Sequence, residues 1–256
     1  MNAQQVAELQ GIITNSLRNK LANYNPESKH MPFHTRLLGK DRMALYSFIQ
    51  SLNTTFGISI FEPVAVYLGS TRFRESLRNQ VAGSTISSEA SALIERTMNE
   101  LVAGNTRTNK LEEIERIREV CQDGSPIEVK PTRVDLKLVS NDGQVYLIDL
   151  KTAKPNINEF KEYKRTLLQW VAASLYQDPN LQIHTLLAMP YNPYEPEPYE
   201  RWTKKSLIDT DHELMVGKQF WDFLAGSGTY ELLLDAFETV GIEMRDEIDA
   251  RFAELE

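Results

Sequence analysis

Apolar residues recur three and four positions apart along the first half of the chain, which is the spacing of one helix face. Residues 4–22 show this pattern, with the apolar positions Val6, Leu9, Ile13 and Leu17. The same spacing predicts four further helices, over residues 40–55, 57–68, 87–102 and 111–120. Ser87 has the residue type that caps helix N-termini. Two prolines break the pattern in residues 23–34, so this segment is predicted to separate the first two helices.

The period changes in the second half of the chain. Residues 132–139 and 144–151 read as extended strands, and Asn-Asp-Gly at 141–143 reads as the turn between them. The next predicted elements are a long helix over 158–177, a short apolar strand over 181–191, an ordered or polyproline-like loop over 190–202, and helices over 216–224, 229–237 and 242–256. This order predicts an α/β (α+β) fold in which a small mixed sheet is flanked by many helices.

No linker-like segment divides the 256 residues, so one large domain is expected rather than two. The predicted strands fall in the middle of the chain. We therefore expect a central core with helical elaborations on its N-terminal side, about residues 1–125, and on its C-terminal side, about residues 204–256.

Composition argues against several classes of protein. No apolar run approaches the roughly 20 residues that cross a membrane, and the first residues form an amphipathic pattern rather than a signal peptide. We therefore expect a cytoplasmic protein with no membrane partner. Cys121 is the single cysteine, which excludes an intrachain disulfide and a cysteine-built metal cluster, and the four histidines are too scattered for a metal motif.

The charges are unevenly distributed along the chain. The net charge of −8 argues against a protein that coats nucleic acid, but it leaves room for DNA binding through local basic patches. Residues 29–42 carry four basic residues and one acid, and residues 151–165 carry five basic residues and two acids. The segment 242–256 carries six acids and two arginines. Much of the negative charge is therefore separated from two basic stretches.

The two central strands carry the most informative side chains. Asp149 and Lys151 are two residues apart and share one face of the second strand. A two-residue turn would place Asp135 of the first strand opposite Leu150, whereas a three-residue loop places Asp135 opposite Asp149. The three-residue loop needs a glycine in its last, left-handed position, and Gly143 lies there. The sequence therefore favours a register in which the two carboxylates face each other.

Such a pair of carboxylates has a definite chemical requirement. Directly opposed residues have Cβ atoms about 4.5–5.5 Å apart, and two carboxylates at that separation need a cation or a shared proton. Oxygen ligands with room for water suit Mg²⁺, and Lys151 beside that ion suits phosphodiester hydrolysis. The alternative is a solvated hairpin face. The apolar run around Asp149 and the basic helix downstream favour catalysis.

The residues Pro131, Asp135, Asp149 and Lys151 resemble the PD-(D/E)XK nuclease motif, although the proline lies four residues before the aspartate instead of adjacent to it. Longer segments resemble the TdeIII-type family of Type II restriction endonucleases. These segments are residues 37–65, 146–172, 190–203 and 216–238. The similarity extends over most of the chain.

This resemblance implies a restriction-endonuclease-like domain over residues 1–256, use of Mg²⁺, and cleavage of double-stranded DNA at a short palindromic, GGNCC-like site. A symmetric site in turn predicts a two-fold homodimer with one active centre per strand. A restriction enzyme also predicts a cognate DNA methyltransferase as its genetic, rather than physical, partner. Asp135, Asp149 and Lys151 match the catalytic positions of the motif, and both aspartates are the expected metal ligands.

Glu62 is a further catalytic and metal-ligand candidate because it lies in the apolar segment 57–68, upstream of the hairpin. It resembles the extra carboxylate that many nucleases of this superfamily add to the metal site. The alternative is a carboxylate in the first turn of a helix, stabilised by the helix dipole. Gln169 lies in the helix that follows Lys151, where contact with the site and a surface or capping role are the two interpretations.

Polar and basic residues near the candidate site are predicted to bind DNA. Three follow the catalytic strand directly, three lie on the next helix, and three flank a turn at Gly39, where they form a candidate clamp on the DNA backbone. These residues are Thr152, Lys154, Asn156, Lys161, Lys164, Arg165, Arg36, Lys40 and Arg42. For the helix residues, the alternative is a solvated face.

Two other functions are consistent with the sequence. One is a DNA repair or recombination nuclease with the same fold, and the other is a DNA-binding protein that has the nuclease fold without its activity. A binding protein gains nothing from two close acids that face phosphate. The intact set of Asp135, Asp149 and Lys151 therefore favours an enzyme.

Overall fold

The computed structural model describes residues 1–24, 31–151, 156–200 and 207–253. The helices are α1 (Ala3–Asn23), α2 (Pro32–Leu38), α3 (Lys40–Thr55), α4 (Glu62–Ser70), α5 (Ser88–Ala103), α6 (Lys110–Val120), α7 (Ile157–Gln177), α8 (Lys218–Ala225), α9 (Thr229–Glu243) and α10 (Arg245–Ala253), with a π-helical turn at Phe56–Phe61. The strands are β1 (Glu75–Val81), β2 (Thr85–Ser87), β3 (Pro126–Glu128), β4 (Arg133–Val139), β5 (Val145–Leu150), β6 (Ile183–Met189) and β7 (Leu214–Val216).

The chain divides into two compact units. Unit 1 comprises Met1–Tyr67 and Ser227–Glu256, and unit 2 comprises Leu68–Gly226. Every strand of the described residues belongs to unit 2. The single domain with two elaborations stays a prediction.

Unit 1 is helical, and α1 shows how its sequence specifies it. Asn2 accepts a hydrogen bond from the Gln5 amide at 2.9 Å, and the Gln5 side chain accepts one from the Asn2 amide at 2.8 Å, which is a capping box. Leu9 and Ile13 are buried on the predicted apolar face, and α1 packs on α9. The predicted helix over residues 4–22 is confirmed.

Unit 2 is built on a five-stranded sheet with the order β1-β4-β5-β6-β7. The pairs β1–β4 and β4–β5 are antiparallel, and the pairs β5–β6 and β6–β7 are parallel. Helix α7 is the crossover that joins β5 to its parallel neighbour β6. The predicted mixed sheet flanked by helices is confirmed, and it is consistent with a restriction-endonuclease-like core.

The main core of unit 2 lies between the sheet and three helices, α5, α6 and α7. Helix α7 contributes the largest share, because Leu167, Trp170 and Val171 are all buried in this core. The hydroxyl of Thr185 in β6 donates to the Leu167 carbonyl at 3.1 Å, which fixes α7 against the sheet. The element that follows the candidate catalytic strand is therefore rigidly held.

The described residues contain one helix and four strands that the sequence pattern did not predict. Helix α2 begins at Pro32, inside the segment expected to separate two helices, because proline is well tolerated in the first turn. Strand β1 was not predicted, since it is an edge strand with mostly exposed residues and lacks apolar alternation. Strands β2, β3 and β7 have three residues each, too few for a periodic signal.

None of the helices in the described part of the chain is long and apolar enough to cross a membrane.

Candidate active site

The β4–β5 hairpin has the register that brings the two carboxylates together. Leu136 pairs with Ile148 and Leu138 with Tyr146, so the next position outward places Asp135 opposite Asp149. Gly143 has a φ of 90° and closes the loop with a hydrogen bond from its amide to the Ser140 carbonyl at 3.1 Å. The three-residue loop predicted from the sequence is confirmed, because its left-handed position is filled by the residue type that best tolerates it.

Asp149 is a buried carboxyl group, with 4% of its surface exposed. Burial is the main cause that raises its pKa from 3.8 to about 7, and the charge of Asp135 adds to this effect, while Lys151 opposes it. A carboxylate in this setting is stabilised by a shared proton or by a further cation. The apolar run around Asp149 thus buries its carboxyl group, and the carboxylate pair needs a cation or a shared proton, as the sequence indicated.

Asp135 is held in place by the neighbouring backbone and by an arginine. Its Oδ2 accepts a hydrogen bond from the Leu150 amide at 2.9 Å, and its Oδ1 lies 3.3 Å from Nε of Arg133. The amide that Asp135 accepts from belongs to the residue between Asp149 and Lys151. Asp135 therefore ties the start of β4 to the end of β5 at the candidate site.

Lys151 follows β5 directly and points its ammonium group at the acids. Its Nζ lies 2.7 Å from Oδ1 of Asp149, and its amide donates to the Ala188 carbonyl of β6 at 2.9 Å. The side chain is 29% exposed. Lys151 thus keeps the extended direction of β5 and presents a cation that is accessible from solvent and adjacent to the Asp149 carboxylate.

The donor set of this site fits a divalent cation. Asp135 and Asp149 provide hard carboxylate oxygens on one rigid hairpin, and Mg²⁺ is commonly held by one or two carboxylates together with water and substrate phosphate. Burial, which is the main cause of the raised pKa of Asp149, also means that a cation bound beside its carboxylate would stabilise the charged form. In the part of the chain that the structure describes, no cluster of three or more His, Cys, Asp or Glu residues could hold a metal ion. Metal binding by Asp135 and Asp149 stays a prediction.

Glu62 is the first residue of α4 and is buried, with 3% of its surface exposed. It lies in unit 1, whereas the hairpin lies in unit 2. The π-helical turn Phe56–Phe61 directly precedes it, so Glu62 is in the first turn of α4 but not at a free helix end. Its contribution to the metal site stays a prediction. Gln169 is half-buried on α7, and its contact with the site likewise stays a prediction.

The candidate clamp in unit 1 is exposed to solvent. Arg36 lies in the last turn of α2, Lys40 begins α3, and both are exposed together with Arg42. Gly39, with a φ of 91°, forms the expected turn between the two helices. The guanidinium group of Arg42 donates to the Leu38 carbonyl at 2.8 Å. These residues are accessible to a phosphate backbone, and their DNA contact stays a prediction.

Three residues after the catalytic strand were predicted to bind DNA, and the structure describes one of them, Asn156. Thr152 and Lys154 lie outside the described residues. Asn156 is the N-cap of α7, where its side-chain oxygen accepts from the amides of Asn158 at 2.9 Å and Glu159 at 3.1 Å. Asn156 therefore has a structural role in starting α7, and its predicted contact with DNA stays a prediction.

The predicted DNA contact of Lys164 is wrong, because its side chain is 0% exposed. Its Nζ lies 2.5 Å from Glu113 and 2.6 Å from Glu213, and Lys110 lies 3.1 Å from Glu213. We call these four residues the buried charge cluster. It joins α6, α7 and the residue before β7. The physical reason is the pairing of two lysines with two glutamates, which makes their burial tolerable.

The other two basic residues of α7 keep partial exposure. Lys161 is half-buried. Arg165 is also half-buried and forms an ion pair with Glu95 of α5. Their DNA contacts stay predictions, with Arg165 already paired within unit 2.

Two residues beside the site were not recognised as part of it from the sequence. Tyr163 of α7 is one of them, and its ring centroid lies 5.1 Å from Nζ of Lys151. Arg133 of β4 is the other, and it forms an ion pair with Asp135. The signal for Arg133 was its position two residues before Asp135. Tyr163 lies near Lys151 because α7 packs on the sheet, and no local sequence pattern predicts that packing.

Comparison with known proteins gives consistent matches. The family model described as "Type II restriction endonuclease, HinfI" matches residues 1–241. Type II restriction enzyme HgiCII of Herpetosiphon aurantiacus is 26% identical over 232 residues, which cover 89% of this chain and 84% of the relative. HgiEI of the same organism is 26% identical over 85% of this chain and 79% of its own length. MjaII of Methanocaldococcus jannaschii is 26% identical over 83% of this chain and 63% of its own length. The matched residues include the whole hairpin and α7.

Proposed function

The chain belongs to the HinfI family of Type II restriction endonucleases, which are site-specific deoxyribonucleases, and on that premise we propose that it hydrolyses double-stranded DNA at a short palindromic site with Mg²⁺ as its cofactor. The proposed active centre consists of Asp135, Asp149 and Lys151. We propose that this centre is of the PD-(D/E)XK type.

One observation carries the assignment of the active centre. Asp149 is buried opposite Asp135, and Nζ of Lys151 lies 2.7 Å from Asp149. A solvated hairpin face does not bury one acid of such a pair or raise its pKa to about 7. Two facing carboxylates beside a lysine suit phosphodiester hydrolysis with a divalent cation, because the carboxylates can hold the cation and the lysine can bind phosphate.

Each residue of the centre has a separate task in this proposal. Asp135 and Asp149 would hold the cation, with Glu62 as a further candidate ligand. When bound, the cation supplies Lewis-acid stabilisation of the charge on the scissile phosphate. Lys151 would orient the attacking water and donate hydrogen bonds to the phosphate oxygens, whose negative charge grows as the new bond forms. Arg133 holds Asp135 in place through their ion pair.

The proposed function also includes the DNA sequence that the enzyme recognises and its assembly into a dimer. The TdeIII-type resemblance supports a GGNCC-like site. A palindromic site supports a homodimer, in which each protomer cleaves one strand. A cognate DNA methyltransferase would protect the same site in the host. Membership in a restriction family favours this function over a repair nuclease, and the intact carboxylate pair favours it over a DNA-binding protein without activity.

A plasmid digest tests the proposed function. Purified protein and a plasmid of known sequence are incubated with Mg²⁺, with Ca²⁺, and with a chelator, and the ends of the fragments are mapped. We expect discrete fragments with Mg²⁺ alone, all ending at one palindromic sequence. We expect specific binding without cleavage in Ca²⁺, which accepts similar ligands at longer distances. Fragments with scattered ends, or cleavage that persists in the chelator, would contradict the proposal.

A further inference from the structure

The ammonium group of Lys151 lies against an aromatic ring. Its Nζ is 5.1 Å from the centroid of Tyr163 and 2.7 Å from Oδ1 of Asp149. A cation within about 6 Å of a ring centroid is attracted by the electron-rich face of the ring. Tyr163 and Asp149 therefore both stabilise one position of a side chain that has four rotatable bonds.

We propose that Tyr163 is a positioning residue for DNA cleavage, because its ring holds the ammonium group of Lys151 beside Asp149. The proposal rests on the proposed role of Lys151 in cleavage, and it adds the residue that fixes the conformation of that lysine. Tyr163 itself does not contact the reacting atoms in this account.

Lys151 needs this support for a physical reason. A lysine is a point charge on a flexible stem, and holding its side chain in one rotamer costs conformational entropy. An ion pair with a single carboxylate leaves the ammonium free to turn about that contact. The ring of Tyr163 adds a second, non-ionic contact, and it does so without competing with DNA phosphate for the hydrogen bonds of the ammonium group.

The structure holds Tyr163 firmly enough for this task. Its ring packs edge-on against the fully buried ring of Phe160, with centroids 6.1 Å apart at 73°. Both residues lie on α7, which begins with a capping box formed by Asn156 and Glu159. Burial, together with the charges of Glu159 and Asp149, raises the pKa of the Tyr163 hydroxyl, so the side chain stays neutral.

The first test compares two substitutions of Tyr163 that differ in the ring. Tyr163→Phe keeps the aromatic face and should cleave at nearly the wild-type rate. Tyr163→Leu removes the face and should lower the single-turnover cleavage rate roughly 3- to 30-fold, the range of a partly desolvated cation–π contact. The affinity for DNA in Ca²⁺ should stay within about twofold for both variants, because Tyr163 is not proposed to bind DNA.

Tyr176→Leu is the matched control. Tyr176 is also half-buried on α7 and lies 13 positions farther along the helix, or about 20 Å along its axis. Its substitution should leave the cleavage rate unchanged. A rate loss in Tyr176→Leu equal to that in Tyr163→Leu would mean that any tyrosine loss from α7 has this effect, and it would overturn the proposal.

Stepwise fluorination keeps the test decisive if Tyr163→Leu fails to fold. Phenylalanine analogues with one, two or three ring fluorines would be placed at position 163. They have nearly the shape of the side chain in the Tyr163→Phe variant, but each fluorine makes the electrostatic potential of the ring face less negative. We expect the cleavage rate to fall with each fluorine while binding in Ca²⁺ stays constant. A rate that does not change with fluorination would overturn the role of the ring.

The result for Lys151→Ala separates this proposal from the proposed function. If Lys151→Ala cleaves DNA at the wild-type rate, the proposed active centre is wrong and the role of Tyr163 falls with it. If Lys151→Ala is inactive while Tyr163→Leu cleaves normally, the active centre stands and only the positioning role is overturned.

Discussion

Nζ of Lys164 lies 2.6 Å from Oε2 of Glu213, and both side chains are completely buried. Burial would raise the pKa of Glu213, but the charges of Lys110 and Lys164 outweigh it and hold that pKa below its ordinary value. Glu213 is therefore ionised inside the protein. This ion pair joins α7 to the segment that precedes β7, so its effect is on stability rather than on DNA binding.

Removing Lys164 should destabilise the protein strongly. Lys164→Met leaves two buried glutamates with too little positive charge, and breaking a buried pair in this way costs about 3–5 kcal/mol. The free energy of unfolding, measured in urea, should fall by this amount.

Lys161→Met is the control for this measurement, since Lys161 is a half-buried lysine of the same helix. It should change the free energy of unfolding by less than about 1 kcal/mol. Equal, small effects of the two substitutions would show that the buried charge cluster does not stabilise the fold.

The raised pKa of Asp149 predicts how stability depends on pH when divalent metal is absent. The pKa is about 7 in the folded protein and 3.8 in the reference state, so the folded protein binds a proton that the unfolded chain releases. The contribution of this bound proton to the free energy of unfolding is fully present below pH 3.8 and is lost as the pH rises towards 7. Asp149→Asn should therefore gain stability relative to the wild type over this range, as measured by urea unfolding in a chelator.

In the same experiment, Asp142→Asn should change the free energy of unfolding with pH in the opposite direction. Hydrogen bonds from Ser140 and Gln144 lower the pKa of Asp142, so its contribution is present at neutral pH and is lost as the pH falls through the folded pKa. Asp142→Asn should lose stability relative to the wild type as the pH rises. A stability difference between Asp149→Asn and the wild type that does not change with pH would contradict the raised pKa of the buried Asp149 carboxyl group.

The basic residues predict the salt dependence of DNA binding. Each phosphate contact that is lost should flatten the plot of log affinity against log salt by roughly one unit. Replacing Arg36, Lys40 and Arg42 together by alanine should reduce the slope by roughly three units and leave the preferred sequence unchanged. The double variant Lys161→Ala with Arg165→Ala should reduce it by roughly two units.

Binding titrations in Ca²⁺ at several salt concentrations measure both slopes. A base-reading residue would instead cost about 1–3 kcal/mol at one base pair and relax the specificity there. Unchanged slopes in both variants would mean that neither patch faces DNA, and the inference from charge segregation would be wrong.

The hairpin could be predicted closely from the sequence because local rules determine it. Gly143 fixes the loop length, the loop length fixes the register, and the register places Asp135 opposite Asp149. Lys151 then follows from the two-residue period of the strand. No information from distant parts of the chain is needed for this part of the site.

Other features depend on long-range packing and could not be predicted in the same way. Lys164 follows Phe160 by four positions and precedes Leu167 by three, so the helical period places it on the buried face. Lys164 was assigned to DNA binding because charged side chains are usually solvated. Its partners Glu113 and Glu213 are 51 and 49 residues away in sequence, so no local pattern indicates the ion pairs that bury it. Strand β1 is likewise determined by its pairing with β4 rather than by its own pattern.

Asp149→Ala tests the central claim most directly, in one experiment that measures cleavage and binding of the same DNA. The substitution removes a proposed metal ligand and a negative charge near phosphate, so the variant should bind the cognate site in Ca²⁺ as tightly as the wild type or more tightly. It should produce no cleavage in Mg²⁺, and Lys151→Ala should also fail to cleave. Normal turnover of the cognate site by Asp149→Ala in Mg²⁺ would contradict the account.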